Sequence, residues 1–386
     1  MGNVRGVSLF DVSLEELRTR TSQKWRRYPP DVLPLFVAEM DVRVCEPVVA
    51  AVTHALRRGD TGYPAGRPYQ EAFAGFAERR WGWAPDPATT ALVPDVMQGV
   101  SELVRLLTDD DGVVVINPPV YPPFRAFVRR TGRAVERADL GADGRLDLAA
   151  LDEAFGRARA GGRSAVYLLC HPQNPTGTVH APDELRAVGE LAARHGVRVV
   201  SDEVHAPLVL DADVRFVSAT TVIPGAVAVH SASKAFHLAG LKAALAVPGP
   251  DAVADLARLP ELVSSEVGHV PVLAHTTALT HGDDWLDALL ESLRDSRAHL
   301  GALLDSRLPR TRWTPGAATY FAWLDLREQL PGEDDPAARL LADARVALNS
   351  GPTFGRPGAG FARLNFATSR AVLTEAVERV ARSLPV

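Results

Sequence analysis

Three lysines, Lys24, Lys234 and Lys242, stand among the 42 basic residues of this 386-residue chain; the other 39 are arginine. Ordinary usage would place about two dozen lysines here. Any chemistry that needs an amine must therefore use one of three positions. These lysines follow Gln23, Ser233 and Leu241, which excludes the Gly-Lys of a Walker A loop and the Lys-Thr-Gly of penicillin-binding enzymes. Lys234 closes the tetrapeptide SASK directly after a strand-like run at 226–231. It can be read as a solvated surface lysine or as the base of a Ser-x-x-Lys acyl-transfer pair. A third reading makes it an amine that forms a Schiff base with an aldehyde cofactor.

The third reading predicts companions, and the sequence supplies them in order. Pyridoxal phosphate (PLP) needs a carboxylate to keep its ring nitrogen protonated, so that the ring can accept electrons. Asp202, in VVSDEVH, is placed for that role. The phosphate needs hydroxyls, helix N-terminal amides and a cation. Ser231, Ser233 and Lys242 offer the hydroxyls and the cation. Asn174, in the HPQNPTG turn, can donate to the phenolic oxygen O3′, and Arg363, in ARLNF, can hold a substrate carboxylate bidentately. Each residue alone has an ordinary explanation as a turn, a cap or a surface group. Their joint order and spacing point to one site.

The elements that must position these residues follow from hydrophobic patterning. Short β-branched runs at 113–116, 165–170, 197–201 and 226–231 alternate with helical stretches, one reaching 130 and one at 182–195. That alternation predicts βαβ units on a mainly parallel sheet flanked by helices. Ligands collect beyond the carboxyl ends of such strands. Asn117, Tyr121, Asn174, Asp202 and the 231–234 turn all fall there. The last third differs: a long helix at 285–308, a strand candidate at 319–326, a helix near 336–345, a Gly-rich stretch at 351–360 and a final helix. The expected organisation is α/β, with residues 46–284 as the large domain. Residues 285–386 form a smaller α+β domain, to which residues 1–45 add an N-terminal arm.

Bulk properties narrow the classes further. At 46% hydrophobic, 23% charged and a net charge of −5, the chain has a globular composition with no basic surface for nucleic acid. No apolar run reaches the length of a membrane helix. The opening MGNVRGVSLF shows neither a signal-peptide core nor a myristoylation pattern. Cys45 and Cys170 form no zinc spacing, so no metal is expected, and they read as two reduced thiols of a cytoplasmic protein.

The sequence resembles fold-type I PLP enzymes of the class I/II aminotransferase superfamily, on HPQNPTG, Asp202, SASK and Arg363. Within that group it is most similar to the MalY/PatB-type cystathionine β-lyases, or C–S lyases. The segment TSQKWRRYPPDVLPLFVAEMD, the motifs GDTGYP and INPPVYPPF, and the tail VALNSGPTFG…GFARLNFA carry that likeness. The resemblance implies that Lys234 binds the cofactor and shuttles the Cα proton. Asp202 pairs with the pyridinium with His205 beside it, Asn174 holds O3′ and Tyr121 stacks over the ring. Arg363, helped by the backbone at Ala38, takes the substrate carboxylate. Tyr63 reaches the phosphate on a neighbouring subunit, which implies a homodimer.

Two positions depart from the family pattern. Lys242 stands where relatives usually carry arginine, and Asp95 precedes the phosphate-binding turn where Gly or Ser is usual. Asp95 is expected to cap the following helix with its side chain turned away, leaving the amides of Val96 and Met97 as phosphate donors. The function implied is β-elimination from cystathionine or another S-substituted cysteine. An aminotransferase remains open, as does a decarboxylating or oxidatively deaminating enzyme of a specialised amino acid, because AFHLAGL departs from the lyase TFN-AGL. A PLP-binding sensor module is disfavoured, because the N-terminus leaves no space for a DNA-binding domain.

Overall fold

The computed structural model describes residues 8–384, so Met1–Val7, where most of the signal and myristoylation reading falls, lie outside it. The chain divides into two compact units. The larger comprises Val44–Asn174 and Thr178–Asp283; the smaller holds the described residues 8–43, Pro175–Gly177 and 284–384.

The larger unit is organised by a seven-stranded sheet: β1 (Ala91–Val93), β2 (Val113–Ile116), β3 (Ala134–Arg137), β4 (Ala165–Cys170), β5 (Arg198–Asp202), β6 (Ala226–His230) and β7 (Ala244–Pro248). Its spatial order is β1-β7-β6-β5-β4-β2-β3. The five strands from β6 to β3 are parallel to one another, and β7 runs against both of its neighbours. The central strands are buried on both faces, which is why they read as continuous apolar runs rather than alternating ones. Val114, Ile116, Val166, Leu168 and Val200 face one layer with helices α3 (Val96–Leu107) and α4 (Pro123–Arg130). Val113, Val115, Tyr167, Leu169 and Val199 face the other, with α5 (Leu148–Arg159) and α6 (Pro182–His195). Strand alternation therefore sets Asp202 on the Val200 face, level with Cys170 across the β4–β5 ladder.

Local chemistry starts and stops these helices. Asp147 caps α5 by accepting from the amides of Ala149 and Ala150 at 3.0 Å. At α6, Pro182 opens the helix, and Glu184 reaches back to the Ala181 amide at 2.8 Å. The helix then ends on Gly196 in the left-handed conformation, φ 64°. Helices α1 (Glu46–Arg58) and α2 (Pro68–Trp81) precede the sheet, and α7 (His269–His281) follows it. Strands β1, β3 and β7 have no counterpart among the sequence expectations. β3 is only partly buried, and β1 is three residues long, so neither carries an apolar run of its own.

The smaller unit contains α8 (Asp283–Arg307), β8 (Phe321–Asp325), α9 (Pro336–Ala344), β9 (Asn349–Ser350), β10 (Phe361–Asn365) and α10 (Arg370–Ser383). Its three strands are antiparallel in the order β9-β10-β8. The N-terminal segment is a core element of this unit rather than a loose arm. Leu17, Leu33 and Leu35 are fully buried, and Leu33–Pro34 pairs in parallel with Val346–Ala347.

Lys24 belongs to this buried segment. Its ammonium lies 2.8 Å from Asp41, with both side chains at most 1% exposed, and it also donates to the Glu39 carbonyl at 3.2 Å. Trp25 donates its indole N–H to the same Asp41 at 3.2 Å. The Lys-Trp pair thus closes residues 24–41 onto one buried carboxylate. Removing one partner of such a pair strands the other charge, which costs about 3–5 kcal/mol. Lys24→Met is expected to lower unfolding free energy by that amount in urea titrations. Adding Asp41→Leu should recover part of the loss.

Candidate active site

In the larger unit, four loops emerge at the carboxyl ends of β2, β4, β5 and β6, and they carry most of the expected site residues. At the first, the Asn117 amide donates to the Ala138 carbonyl at 2.8 Å, and its oxygen accepts from the Tyr167 hydroxyl. At the second, Gln173 donates to the Pro119 carbonyl at 2.9 Å, tying the HPQN turn to the loop that carries Tyr121. Asn174 is buried, and its backbone N–H donates to the Cys170 sulfur at 3.4 Å. Tyr121 is half-buried and meets Phe124 edge-on, with ring centroids 6.2 Å apart.

Asp202 ends β5 with 4% of its surface exposed, and its Oδ1 accepts from the Val204 amide at 3.1 Å. Burial pushes its pKa up to about 7, against the downward pull of that amide and of the Lys234 charge. A desolvated carboxylate in this state is completed by a cationic N–H donor, which a protonated pyridine nitrogen is. Behind it, buried Glu203 lies 3.0 Å from His230 and accepts from the Ala219 amide at 2.8 Å. Burial alone would raise Glu203, but the His230 contacts outweigh it and hold the carboxyl below its usual value. His205, buried, opens the short turn Ala206–Leu208 directly after the strand.

The loop between β6 and β7 carries Ser231, Ser233, half-buried Lys234 and exposed Lys242. Backbone turn bonds, such as Phe236 N–H to the Ala232 carbonyl at 3.0 Å and Leu238 N–H to the Ser233 carbonyl at 2.9 Å, shape it together with side chains. The Ser231 hydroxyl donates to the Ala243 carbonyl at 2.7 Å and accepts from the Ser233 amide at 3.2 Å, linking the two ends of the loop. His275, on α7, holds the Leu241 carbonyl at 2.7 Å through Nε2, and its Nδ1 lies 3.0 Å from the Tyr69 hydroxyl. A carbonyl only accepts, so Nε2 carries the proton and Nδ1 accepts from Tyr69. Burial holds the His275 pKa down at about 4, which keeps this neutral tautomer at ordinary pH. The Tyr69 oxygen is in turn approached by the Ser231 hydroxyl and the Ala232 amide.

The expected phosphate end lies at the start of α3. Asp95 caps this helix, its Oδ1 accepting from the Gln98 amide at 2.8 Å, as its position suggests. The first amides of a helix have no intrahelical acceptor, and Asp95 takes that of Gln98, which leaves Val96 and Met97 free to donate. Asp95 Oδ2 meets Lys242 Nζ at 2.7 Å. The two positions expected to depart from the family pattern are thus bonded to each other. Tyr63 stands 90% exposed in the segment after α1.

The smaller unit holds the other two expected residues. Arg363, on β10, is 1% exposed, with its guanidinium 4.0 Å from the Phe321 ring centroid and 5.2 Å from that of Phe354. It donates to the Phe36 carbonyl at 2.9 Å and, at 3.1 Å, to the amide oxygen of Asn349 in the orientation that satisfies both groups. Ala38 lies two residues beyond Phe36, and its carbonyl accepts from the Tyr320 hydroxyl at 3.3 Å. Asn365 fixes the same stretch by donating to the carbonyls of Val37 and Glu39 at 2.7 Å each. Arg363 and Ala38 are therefore brought together by β10 and the N-terminal segment.

Sequence reasoning missed the supporting layer. Tyr69 and His275 are 206 positions apart, and no local pattern connects them. Glu203 adjoins Asp202 in SDEVH, but its partner His230 is on the neighbouring strand.

A mainly parallel sheet covered on both faces, with lysine, buried aspartate and a capped phosphate-type helix on its carboxyl rim, defines the fold type I architecture of PLP-dependent enzymes. The family model for aminotransferase class I and II matches residues 30–380, and the chain belongs to that family. A Mycobacterium tuberculosis protein provisionally named a cystathionine beta-lyase is 52% identical, over 97% of this chain and 98% of its own. The cystathionine beta-lyase of Corynebacterium glutamicum is 34% identical, over 96% and 99% of the two chains. A Corynebacterium diphtheriae crystal structure, provisionally described as a PLP-dependent beta-cystathionase, matches with a TM-score of 0.90 and 34% identity, over 96% and 98%.

The Asp202 environment has a consequence for stability. Its folded-state pKa, about 7, lies above the ordinary 3.8. The contribution of the protonated form is thus full below about pH 4 and is lost as pH rises through about 7. Free of cofactor, the chain should lose a few kcal/mol relative to Asp202→Asn across that window, since the buried histidines titrate alike in both proteins. Urea titrations near pH 5 and pH 8 read the difference, and equal slopes in both proteins would contradict the assignment.

Proposed function

We propose that the chain is a PLP-dependent carbon–sulfur β-lyase that cleaves cystathionine or another S-substituted L-cysteine to a thiol, pyruvate and ammonia. The observation that carries this reading is the nearly full-length 34% identity to the C. glutamicum cystathionine beta-lyase, with every expected chemical group present in this chain. PLP supplies an aldehyde for the substrate amine and a ring that takes up the electron pair released at Cα.

The chain's own residues do the rest. Lys234 would hold the cofactor through its aldehyde carbon, and its amine, when free, would take the substrate's Cα proton. Asp202 keeps a proton on the ring nitrogen, with His205 beside it as support. Asn174 donates to the phenolic oxygen, and Tyr121 covers the ring face. The amides of Val96 and Met97, the hydroxyls of Ser231 and Ser233, and Lys242 take the phosphate. The Ser231 hydroxyl also closes its own loop, so its share is the smallest. Arg363 grips the substrate carboxylate with the backbone at Ala38, and its aromatic neighbours hold the guanidinium plane fixed. When the Cβ–S bond breaks, its electron pair leaves with sulfur, and the thiolate takes up one proton.

Purified protein incubated with L-cystathionine should release pyruvate and free thiol at a rate indifferent to added 2-oxoglutarate. Amino transfer that requires the keto acid would instead establish an aminotransferase. Lys234→Ala should abolish turnover and the visible band of lysine-bound cofactor.

The same reading includes a homodimer. Tyr63 is almost fully exposed in one chain, and Val49 and Leu56 on the preceding helix are also exposed. A second copy supplying Tyr63 to its neighbour's phosphate accounts for an aromatic side chain left in water. Chains carrying Lys234→Ala and chains carrying Tyr63→Ala, each inactive alone, should regain about a quarter of wild-type activity when mixed and allowed to exchange, because half the dimers then hold one intact site. No recovery would count against a shared site. No helix among the described residues is long and apolar enough to cross a membrane. The two buried free cysteines support a cytoplasmic location.

A further inference from the structure

Asp95, at the head of α3, and Lys242, in the β6–β7 loop, make one contact, and that contact has two effects. Lys242 is the exposed partner, with 67% of its side chain in solvent, whereas Asp95 is 20% exposed. A lysine stem so placed samples many rotamers, and the 2.7 Å contact collects its ammonium at the head of α3. The same contact sets a full negative charge beside the amides of Val96 and Met97. Asp95 is held there by its second oxygen, which caps the helix at 2.8 Å, so the carboxylate cannot swing away without uncapping α3. Together the two side chains carry no net charge.

We propose that the Asp95–Lys242 pair is a charge-balanced clamp that limits how tightly the cofactor phosphate is held. Asp95 keeps the cation in position and at the same time offsets its attraction for a phosphate, which carries nearly two negative charges at neutral pH. The cofactor is therefore more exchangeable here than at a phosphate site with an unopposed cation. The inference rests on the PLP reading of the site.

The test is a titration of cofactor-free protein with PLP, following the visible band of the Lys234-bound group, and it does not use turnover. Asparagine and serine cap helices as well as aspartate does, so Asp95→Asn and Asp95→Ser keep α3 intact while removing the charge. Both should tighten PLP binding, by roughly 3- to 30-fold for one charge at a partly exposed site. Lys242→Met should weaken it by a comparable factor. The double variant Asp95→Asn/Lys242→Met should return to within about threefold of wild type, since both charges are gone. Pyridoxal, which lacks the phosphate, should bind all four proteins alike, and the differences with PLP should shrink in high salt. Equal or weaker PLP binding by both Asp95 variants, or the same ranking with pyridoxal, would overturn the clamp while leaving the cofactor assignment standing. A wild-type chain that never forms the band with PLP would overturn the cofactor assignment and the clamp with it.

Discussion

A carboxylate taken out of water at the end of a central strand is the constraint on which this site depends. Asp202 ends β5 in the middle of the seven-stranded sheet and is almost completely buried, and desolvation pushes its pKa up to about 7. Such a group is unfavourable unless something cationic completes it. The order of the strands makes completion possible. β4 and β6 flank β5, so the loops leaving them place Asn174 and Lys234 on the same rim, and Asp202 already feels the Lys234 charge. Glu203, one residue further on, lies 3.0 Å from His230, and its charge adds to the upward push on Asp202.

Rigid strands alone do not position a lysine that lies in a loop. The stretch from 231 to 243 has no regular structure and carries both amines of the proposed cofactor site. It is pinned at one end by Ser231 to Ala243 and at the other by His275 to Leu241, with Tyr69 joining the two. Every member of this network is buried or backbone, so its hydrogen bonds act in a low dielectric, where leaving one unmade is costly. That cost is what converts a flexible loop into a fixed one. The smaller unit solves a similar problem by other means. Arg363 is held over the rings of Phe321 and Phe354 and hydrogen-bonded to the Phe36 carbonyl near Ala38, and that segment is anchored by the buried Lys24–Asp41 pair.

The three lysines show how one residue type is placed by three different physical demands. Lys234 is assigned, in the proposed function, the bond to an aldehyde, which a guanidinium cannot form. Lys24 is fully buried against a carboxylate that also serves Trp25, and its compact ammonium meets Asp41 and the Glu39 carbonyl together. Lys242 is exposed, and its partner is the cap of the phosphate helix. In a chain that otherwise uses arginine, each of these positions has a distinct chemical setting.

The central strands, the helix at Pro182–His195 and the chemical groups of the site could be read from sequence because each rests on local information. Strands buried on both faces give continuous apolar runs, helices announce their caps, and turns such as HPQNPTG and SASK have fixed composition. What the sequence by itself determined is therefore the inventory of reactive groups and the strand ends on which they stand. What only the tertiary structure decided is their support. The Tyr69–His275 link, the Glu203–His230 pair, the Asp95–Lys242 contact and the burial of Lys24 join residues 15 to 206 positions apart. Hydrogen bonds and ion pairs act over a few ångströms, and no pattern of spacing along a chain records which distant side chains folding will bring within that range.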